Sequence, residues 1–355
     1  MKKKKLKKKA KGLLLPLIIK NPFEKPYIPS RIAWSFSALK LFRKCKRKYF
    51  WRRVLRLSSK CEATPLVISG LVHLGLAKWY KSKGKMRPIA IQVINEAMKK
   101  VEGYAAYYDQ DEYDDLIATS TTVVGMLIGY SVMYKKDKGH LVIDKRTDVE
   151  TWFQVNMGGF DWKGKIDLLP CTANGKQLLM EHKAVRNFNE SFIEVLPLDT
   201  QITGYLFGAA EGLGRPPAQV VYNLIRKCQL RRKSNESSED YCDRIAKDYK
   251  KRPDFYFYRE KLRYNKSDLA AFEFDLRKTN QEYNRLLEDS FDPLDPREWP
   301  CSGHICKEFF RKCEFFPLCI QGLDQGTARL YTQYNEGEIL DSVKVKKKKK
   351  KKRKK

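Results

Sequence analysis

Apolar and polar positions change their rhythm three times along this chain. From Val149 the spacing is that of strands, and three are expected: Glu150–Met157, Phe160–Leu169 and Gln177–Val185. Before them the spacing is helical. Ser35 or Ser37 caps a helix running towards Leu55, with Leu39, Phe42, Cys45 and Tyr49 as its apolar stripe. A second helix is expected from Gly70 to about Lys83. Two more follow over 89–108 and 113–135, joined by the acidic stretch Asp109–Asp115. After the strands, Asp199 caps a helix to about Gly212, and Ser267–Leu287 reads as a long charged helix. Val220–Ile225 and Asp254–Arg259 read as further strands. No repeat of 20–50 residues is visible. This order predicts an α/β or α+β domain with helical additions on both sides.

Charge changes the picture at the ends. The 355 residues carry a net charge of +30, but residues 1–12 hold eight lysines and residues 344–355 hold eleven Lys or Arg, with no acid in either stretch. The remaining +11 belongs to residues 13–343, so the body is basic in its own right. Such lysine runs bury nothing and raise nonspecific affinity for nucleic acid; alone they are weak evidence for nuclear import. Nine basic residues lie between Lys40 and Arg56, so one side of that first helix faces something anionic. Arg43, Arg47 and Arg52 are its expected DNA contacts.

The run Leu13–Ile19 is too short for a membrane span, contains Pro16 and lacks a small-residue cleavage site. The chain reads as intracellular and cytoplasmic, without a membrane partner. In such a compartment nine cysteines do not form a disulfide framework. Four of them, Cys301, Cys306, Cys313 and Cys319, crowd together and point to a metal or iron–sulfur site.

The densest candidate chemistry flanks Asn174-Gly175. One strand ends Gly164-Lys165-Ile166-Asp167, and its neighbour carries Glu181-His182-Lys183. Two carboxylates can hold Mg²⁺ or Mn²⁺ through oxygen, and such a metal activates water against a phosphodiester. Glu181 and Lys183, two apart in a strand, share a face. A two-residue Asn-Gly loop would pair Asp167 with His182 and turn Glu181 away. A three-residue loop, Ala173-Asn174-Gly175, pairs Asp167 with Glu181 and asks for a left-handed Gly175. An ordinary hairpin with solvent-facing charges is the alternative. Gly70 leaves room one turn before His73. Gln201 and Tyr205 share one face of the helix after the strands, where Gly204 and Gly208 permit close packing on the sheet.

Together these motifs resemble the RecB-like nucleases of the PD-(D/E)XK superfamily, the group that includes AddB-type nuclease domains, CRISPR-adaptation exonucleases and phage exonucleases. The likeness runs from Ser35 to Cys319. It covers Ser35-x-Ser37-x-Leu39 with Cys45-x-Arg47-x-Tyr49, Gly70-x-x-His73, Gly164-x-Ile166-Asp167, Glu181-x-Lys183 and Gln201-x-x-x-Tyr205. It implies a restriction-endonuclease-like α/β core, a mixed central sheet flanked by helices, with a helical insertion and a cysteine-rich C-terminal segment. Residues 1–34 would be a poorly ordered leader and 35–320 the nuclease domain, comprising a helical part 35–140, a core 149–230 and a C-terminal part 254–320. Residues 321–355 would be a tail with a disordered lysine-rich end.

The resemblance further implies that His73, Asp167 and Glu181 bind Mg²⁺ or Mn²⁺, with the His182 carbonyl as an extra ligand. Lys183 would assist the nucleophile, and Gln201 and Tyr205 would position DNA and Lys183. In the iron–sulfur branch, Cys45 would join Cys306, Cys313 and Cys319 around a [4Fe–4S] cluster. Two departures stand out: Cys306 precedes Cys313 by seven residues, so Cys301 is an alternative ligand, and Ala184 replaces the usual Thr or Ser. A local Cys₄ zinc site is the rival for the metal. The expected function is a metal-dependent exonuclease acting on single-stranded DNA or duplex ends in recombination, repair or phage DNA metabolism. No phosphate-binding loop of the G-x-x-x-x-G-K-[ST] type occurs, so any motor is a separate helicase or recombinase. The alternatives are a noncatalytic, zinc-stapled nucleic-acid-binding protein and a structure-specific endonuclease of the same fold.

Overall fold

The computed structural model describes residues 23, 26–60, 64–82, 84–102, 110–144, 146–308 and 311–334. The lysine-rich ends, most of the expected leader and the tail beyond residue 334 lie outside them. In chain order the elements used below are β1 (Ala33–Trp34), α1 (Phe36–Lys44), α2 (Lys46–Tyr49), β2 (Leu57–Ser59), α3 (Thr64–Lys81), α4 (Met86–Glu102) and α5 (Gln110–Met133). Then come β3 (Val149–Asn156), β4 (Asp161–Leu168), β5 (Leu178–Val185), α6 (Thr200–Phe207), β6 (Gln219–Arg226), α7 (Ser238–Lys251) and β7 (Phe257–Leu262). The chain continues through α8 (Lys266–Asp289), β8 (Lys307–Glu308), β9 (Arg311–Lys312), α9 (Phe316–Gln321) and β10 (Tyr331–Gln333).

Two compact units divide these residues. The larger comprises Arg31–Phe36 and Cys61–Glu282; the smaller takes Ser37–Lys60 and the chain from Tyr283, with the few described residues before Arg31. The expected ranges 35–140 and 254–320 are therefore each shared between the two.

The larger unit is built on a six-stranded mixed sheet. Strand β4 pairs along its length with antiparallel β3, while parallel β1 and antiparallel β5 take opposite ends of its other edge. Strand β5 then pairs in parallel with β6, and β6 antiparallel with β7. On one face Val149, Leu168, Met180, Val221 and Ile225 join an apolar core with α3, α4, α5 and α7. On the other, Trp162 meets Phe272 of α8 edge to face at 5.1 Å, and its indole N–H donates to the Gly204 carbonyl of α6 at 2.9 Å. Gly204 is obligatory for that approach, since a Cβ there would stand 2.6 Å from Trp162.

Three expectations change. The helix expected from Ser35 to Leu55 breaks at Cys45, whose backbone is extended and whose sulfur accepts the Lys48 N–H as the N-cap of α2. The chain then finishes in a π turn, Phe50–Val54. The expected stripe is nevertheless buried. The strand expected at Asp254–Arg259 begins later, at Phe257, because Pro253 opens a helical turn over Pro253–Tyr256. Helix α7 went unanticipated, although its signals are ordinary ones. Ser237 caps the Asp240 N–H, and Tyr241, Cys242, Ile245 and Tyr249 form a buried stripe.

In the smaller unit β2 pairs antiparallel with β10. Its core is aromatic: Tyr49 stacks on Trp299 at 5.9 Å, and Phe42 meets Tyr283 at 5.7 Å. Trp299 is fully buried.

Candidate metal and thiol centres

The register of the β4–β5 hairpin decides whether its carboxylates meet. Leu168 pairs with Met180, and the Cys171–Gln177 bridge continues the same register. That is the spacing of the three-residue loop, and Gly175 at its end is left-handed with φ 79°. Asp167 and Glu181 therefore lie across from each other. The β4–β5 ladder stops at Leu168 and Met180, and there a side chain takes over. The His182 main-chain N–H donates to Asp167 Oδ2 at 2.9 Å.

His73 of α3 reaches the same carboxylate, with Nδ1 3.1 Å from Asp167 Oδ1. Gly70, one turn earlier, leaves open space: a Cβ there would meet nothing within 4 Å. Lys183 Nζ stands 3.1 Å from Glu181 Oε1 and donates to Gln201 Oε1. Gln201 Nε2 donates to Glu181 Oε1 at 3.0 Å and to the Tyr205 hydroxyl at 2.9 Å. Asp199 fixes the start of α6 by accepting the Gln201 N–H at 2.9 Å, and itself accepts the Tyr222 hydroxyl. All six expected residues of this centre thus converge.

Their electrostatics are those of crowded, buried charge. Burial alone would raise the Asp167 carboxyl, but the adjacent His73 ring outweighs it and holds Asp167 below the usual carboxylate range. Glu181, 1% exposed, is pushed up by burial and by Asp167. Burial opposes a charged His73, yet Asp167, Glu181 and Glu150 lift it to about 9. Burial likewise opposes the Lys183 ammonium, but Glu181 and Asp199 keep its pKa raised, so it is a cation at neutral pH. Burial lowers His182 to about 4 and leaves it neutral. Glu181 Oε2 is buried and makes no hydrogen bond among the described residues. With the Asp167 carboxylate opposite, that orphaned oxygen is the kind of carboxylate donor a hard divalent cation takes. Among the described residues, however, no group of three or more His, Cys, Asp or Glu stands at metal-holding spacing.

Glu150 was missed by sequence reasoning. The pairs Val149–Leu168 and Thr151–Ile166 place it across from Asp167. Its φ of 57° is left-handed, and its carboxylate pairs with Lys165. A strand-like stretch gives no warning of such a backbone.

The thiol centre belongs to the smaller unit. The β8–β9 hairpin pairs Lys307 with Lys312, and the Cys313 N–H donates to the Cys306 carbonyl at 2.8 Å. The long spacing between these cysteines is thus a looped-out hairpin that returns Cys313 to Cys306. Partial burial raises the thiol of Cys301, and Cys45, Cys306 and Cys319 are near enough to raise it further. Burial also raises Cys319, against the Trp51 indole N–H and Arg47, with Cys313 and Cys45 adding to the rise. Five thiols therefore share one neighbourhood, Cys301 among them. Trp51 Nε1, in a side chain only 3% exposed, has no hydrogen-bond partner among the described residues.

The expected DNA contacts are divided. Arg47 spends its Nε on the Trp299 carbonyl at 3.0 Å, and Arg52 its Nη1 on Ser58 Oγ at 2.8 Å. Both brace their own unit, whereas Arg43 is exposed. No helix among the described residues is long and apolar enough to cross a membrane.

Comparison with known proteins adds an independent line. Residues 33–319 match the family model of the PD-(D/E)XK nuclease superfamily. No curated protein matches the chain in sequence. Among solved structures, a candidate exonuclease from Eubacterium rectale is 11% identical with a TM-score of 0.40, over 89% of this chain and 94% of that one. The protein SSO0001 is 16% identical with a TM-score of 0.27, over 61% of this chain and 74% of that one. At such scores neither likeness carries weight about activity.

Proposed function

The chain belongs to the PD-(D/E)XK nuclease superfamily, and from that premise we propose a divalent-metal-dependent DNA exonuclease whose smaller unit holds an iron–sulfur cluster. The observation that carries the catalytic reading is the buried Glu181 carboxylate, its Oε2 unpartnered among the described residues and its Oε1 against a charged Lys183, with His73 on the Asp167 carboxylate opposite. A noncatalytic DNA-binding protein has no use for that arrangement.

His73, Asp167 and Glu181 would hold the cation. Bound there, Mg²⁺ or Mn²⁺ supplies Lewis acidity and a lowered water pKa. The remaining work falls to the chain itself. Lys183, kept protonated, offers its ammonium to an anionic phosphate oxygen and neutralises charge that develops there. Gln201 holds Lys183 and Glu181 at a fixed separation through one amide, and Tyr205 fixes that amide from behind. The Asp199 cap and the close seating of α6 on Trp162 keep Gln201 from drifting.

For the thiol centre we favour Cys45, Cys306, Cys313 and Cys319 as ligands of a [4Fe–4S] cluster. The set is chemically suited, since thiolates ligate such clusters. The Lys48 N–H already donates to the Cys45 sulfur at 3.4 Å. The neighbourhood also contains Cys301, the thiol that a zinc set would use in place of Cys45.

The deciding assay compares end-labelled linear DNA with covalently closed circles, in Mg²⁺, Mn²⁺ or chelator. Linear DNA should be degraded from its ends, circles spared, and chelator should stop the reaction. Cut circles would replace exonuclease by endonuclease action. DNA that is bound but intact in every metal would leave the noncatalytic reading. DNA metabolism, with a separate helicase or recombinase as partner, is the setting such an activity fits.

A further inference from the structure

The polar groups behind the metal centre, on the opposite face of the sheet, form a closed chain. Arg259 can only donate, and its Nε lies 3.2 Å from Asn223 Oδ1, so the Asn223 amide nitrogen faces the other way. That nitrogen donates to His182 Nδ1 at 2.7 Å and to the Tyr130 hydroxyl at 2.8 Å. Tyr130 also accepts from Arg259 Nη2 at 3.2 Å, so its own proton goes to Tyr80, 2.8 Å away. Tyr80 in turn donates to Asp137 Oδ2 at 2.8 Å. Arg259 closes the ring with two bonds to Asp137, at 3.0 and 2.6 Å. Every donor direction is thereby fixed. Tyr80 also stacks on the His182 ring, 5.8 Å between centroids.

Stability does not demand this ring. It lies beside an apolar core, and a buried Arg–Asp pair is commonly no more stabilising than apolar groups of the same size. Its one outlet is His182, which is 3% exposed. The His182 N–H holds Asp167 at the point where the β4–β5 ladder has ended. On its other edge β5 is held only by β6, where His182 pairs with Asn223 itself.

We propose that Asn223, braced by Tyr130 and Arg259, is a positioning residue of the metal centre: it clamps the His182 ring so that the His182 main chain presents Asp167 to the cation. This rests on the metal-dependent reading above. Partners one shell behind metal ligands commonly change affinity by about 10–100-fold.

The test measures Mn²⁺ binding to the full chain by calorimetry, together with kcat and KM for DNA. The variants are Asn223→Leu, Tyr130→Phe and Arg259→Met, with Val221→Ala as a control on the same core. Asn223→Leu should weaken Mn²⁺ binding about tenfold or more. Its kcat should fall at limiting Mn²⁺ and largely recover at high Mn²⁺, with KM for DNA unchanged. Tyr130→Phe keeps the ring and should show the same effect more weakly; it serves if Asn223→Leu does not fold. Parent-like Mn²⁺ affinity in both overturns the proposal, as does an equal loss in Val221→Ala at matched thermal stability. A parent that neither binds Mn²⁺ nor cuts DNA overturns the metal-dependent reading, and this one with it.

Discussion

The carboxylate centre and the thiol centre, the two proposed metal sites, gather their side chains by opposite means. Around Asp167 and Glu181 nearly every polar atom has a partner at a defined distance: His73, His182 N–H, Lys183, Gln201 and Tyr205. Around Cys45 and Cys319 directed donors are few among the described residues, chiefly the Lys48 N–H. The difference follows from ligand chemistry. A buried carboxylate is costly unless charge and hydrogen bonds compensate it, so its site must be organised before any cation arrives. A neutral thiol is a small hydrophobe that packs without compensation. It can wait for its metal, and the metal then contributes to folding.

The largest effect should follow from dismantling the organised centre. Asp167→Ala, Glu181→Ala or Lys183→Ala should each lower cleavage on the order of a thousandfold. DNA affinity should change little, because it comes mainly from phosphate contacts elsewhere. Asp167→Ala also leaves His73 and the His182 N–H without their acceptor, a cost of about 1–3 kcal/mol. If Asp167→Ala degrades DNA at the parent rate in Mn²⁺, the assignment of this centre is wrong.

The thiol centre should respond in stability first. Losing one ligand forfeits metal-binding free energy that had become folding free energy, so Cys45→Ala should be colourless and melt ten degrees or so lower. Stripping divalent metal with a chelator should move the melting temperature by only about a few degrees, because the carboxylate site is already braced. Scanning calorimetry with metal analysis makes the comparison. A Cys45→Ala protein with the parent's melting point and iron content would remove Cys45 from the cluster. Zinc without iron in both proteins would reject iron–sulfur ligation altogether.

How far each centre could be read from sequence follows the same divide. The carboxylate centre was legible because strand spacing carries side-chain direction: Glu181 and Lys183 two apart, and a loop whose length sets Asp167 against Glu181. The first helix was less legible. Its stripe was right, but nothing in the apolar pattern reveals that Cys45 leaves the helix to cap the next turn. Arg47 and Arg52 read as DNA contacts from the basic run alone, which does not reveal that each also donates to groups of its own unit. The seven-residue spacing of Cys306 and Cys313 leaves Cys301 open as an alternative, because nothing in it shows that strand pairing returns Cys313 to Cys306. Polar networks such as Arg259–Asn223–His182 were invisible, since their members are scattered across the chain and follow no period.

A smaller effect tests whether the sparse donors of the thiol centre matter. Trp51→Phe removes a buried indole N–H near Cys319 that has no protein acceptor among the described residues, while keeping an aromatic ring in the core. Hydrogen bonds to cluster sulfurs stabilise the reduced, more negative state. The variant should therefore keep its iron and lower its reduction potential by about tens of millivolts, read by spectroelectrochemistry. An unchanged potential would mean that the sulfurs are organised by packing alone.

The smallest effect concerns backbone strain, and each unit offers one site. Glu150, across from Asp167, and Arg56, in the smaller unit, are the non-glycine residues of positive φ among those described, at 57° and 60°. A left-handed backbone costs an L-residue about 1–2 kcal/mol, and alanine suffers it as glutamate does. In an ordinary strand glycine is the less stable choice by about 0.5–1 kcal/mol. Here the sign should reverse, with Glu150→Gly more stable than Glu150→Ala by about 1 kcal/mol and the same order at Arg56. Both Glu150 variants lose the pair with Lys165, so that contact cancels in the comparison. Activity separates the two sites. Relaxing the strand opposite Asp167 should reduce kcat several-fold in Glu150→Gly, while Arg56→Gly should cut DNA as the parent does. Denaturant midpoints and single-turnover rates for the four variants read both quantities. Alanine more stable than glycine at Glu150 would mean that its conformation carries no strain, and parental rates in Glu150→Gly would make that strain incidental to the metal centre.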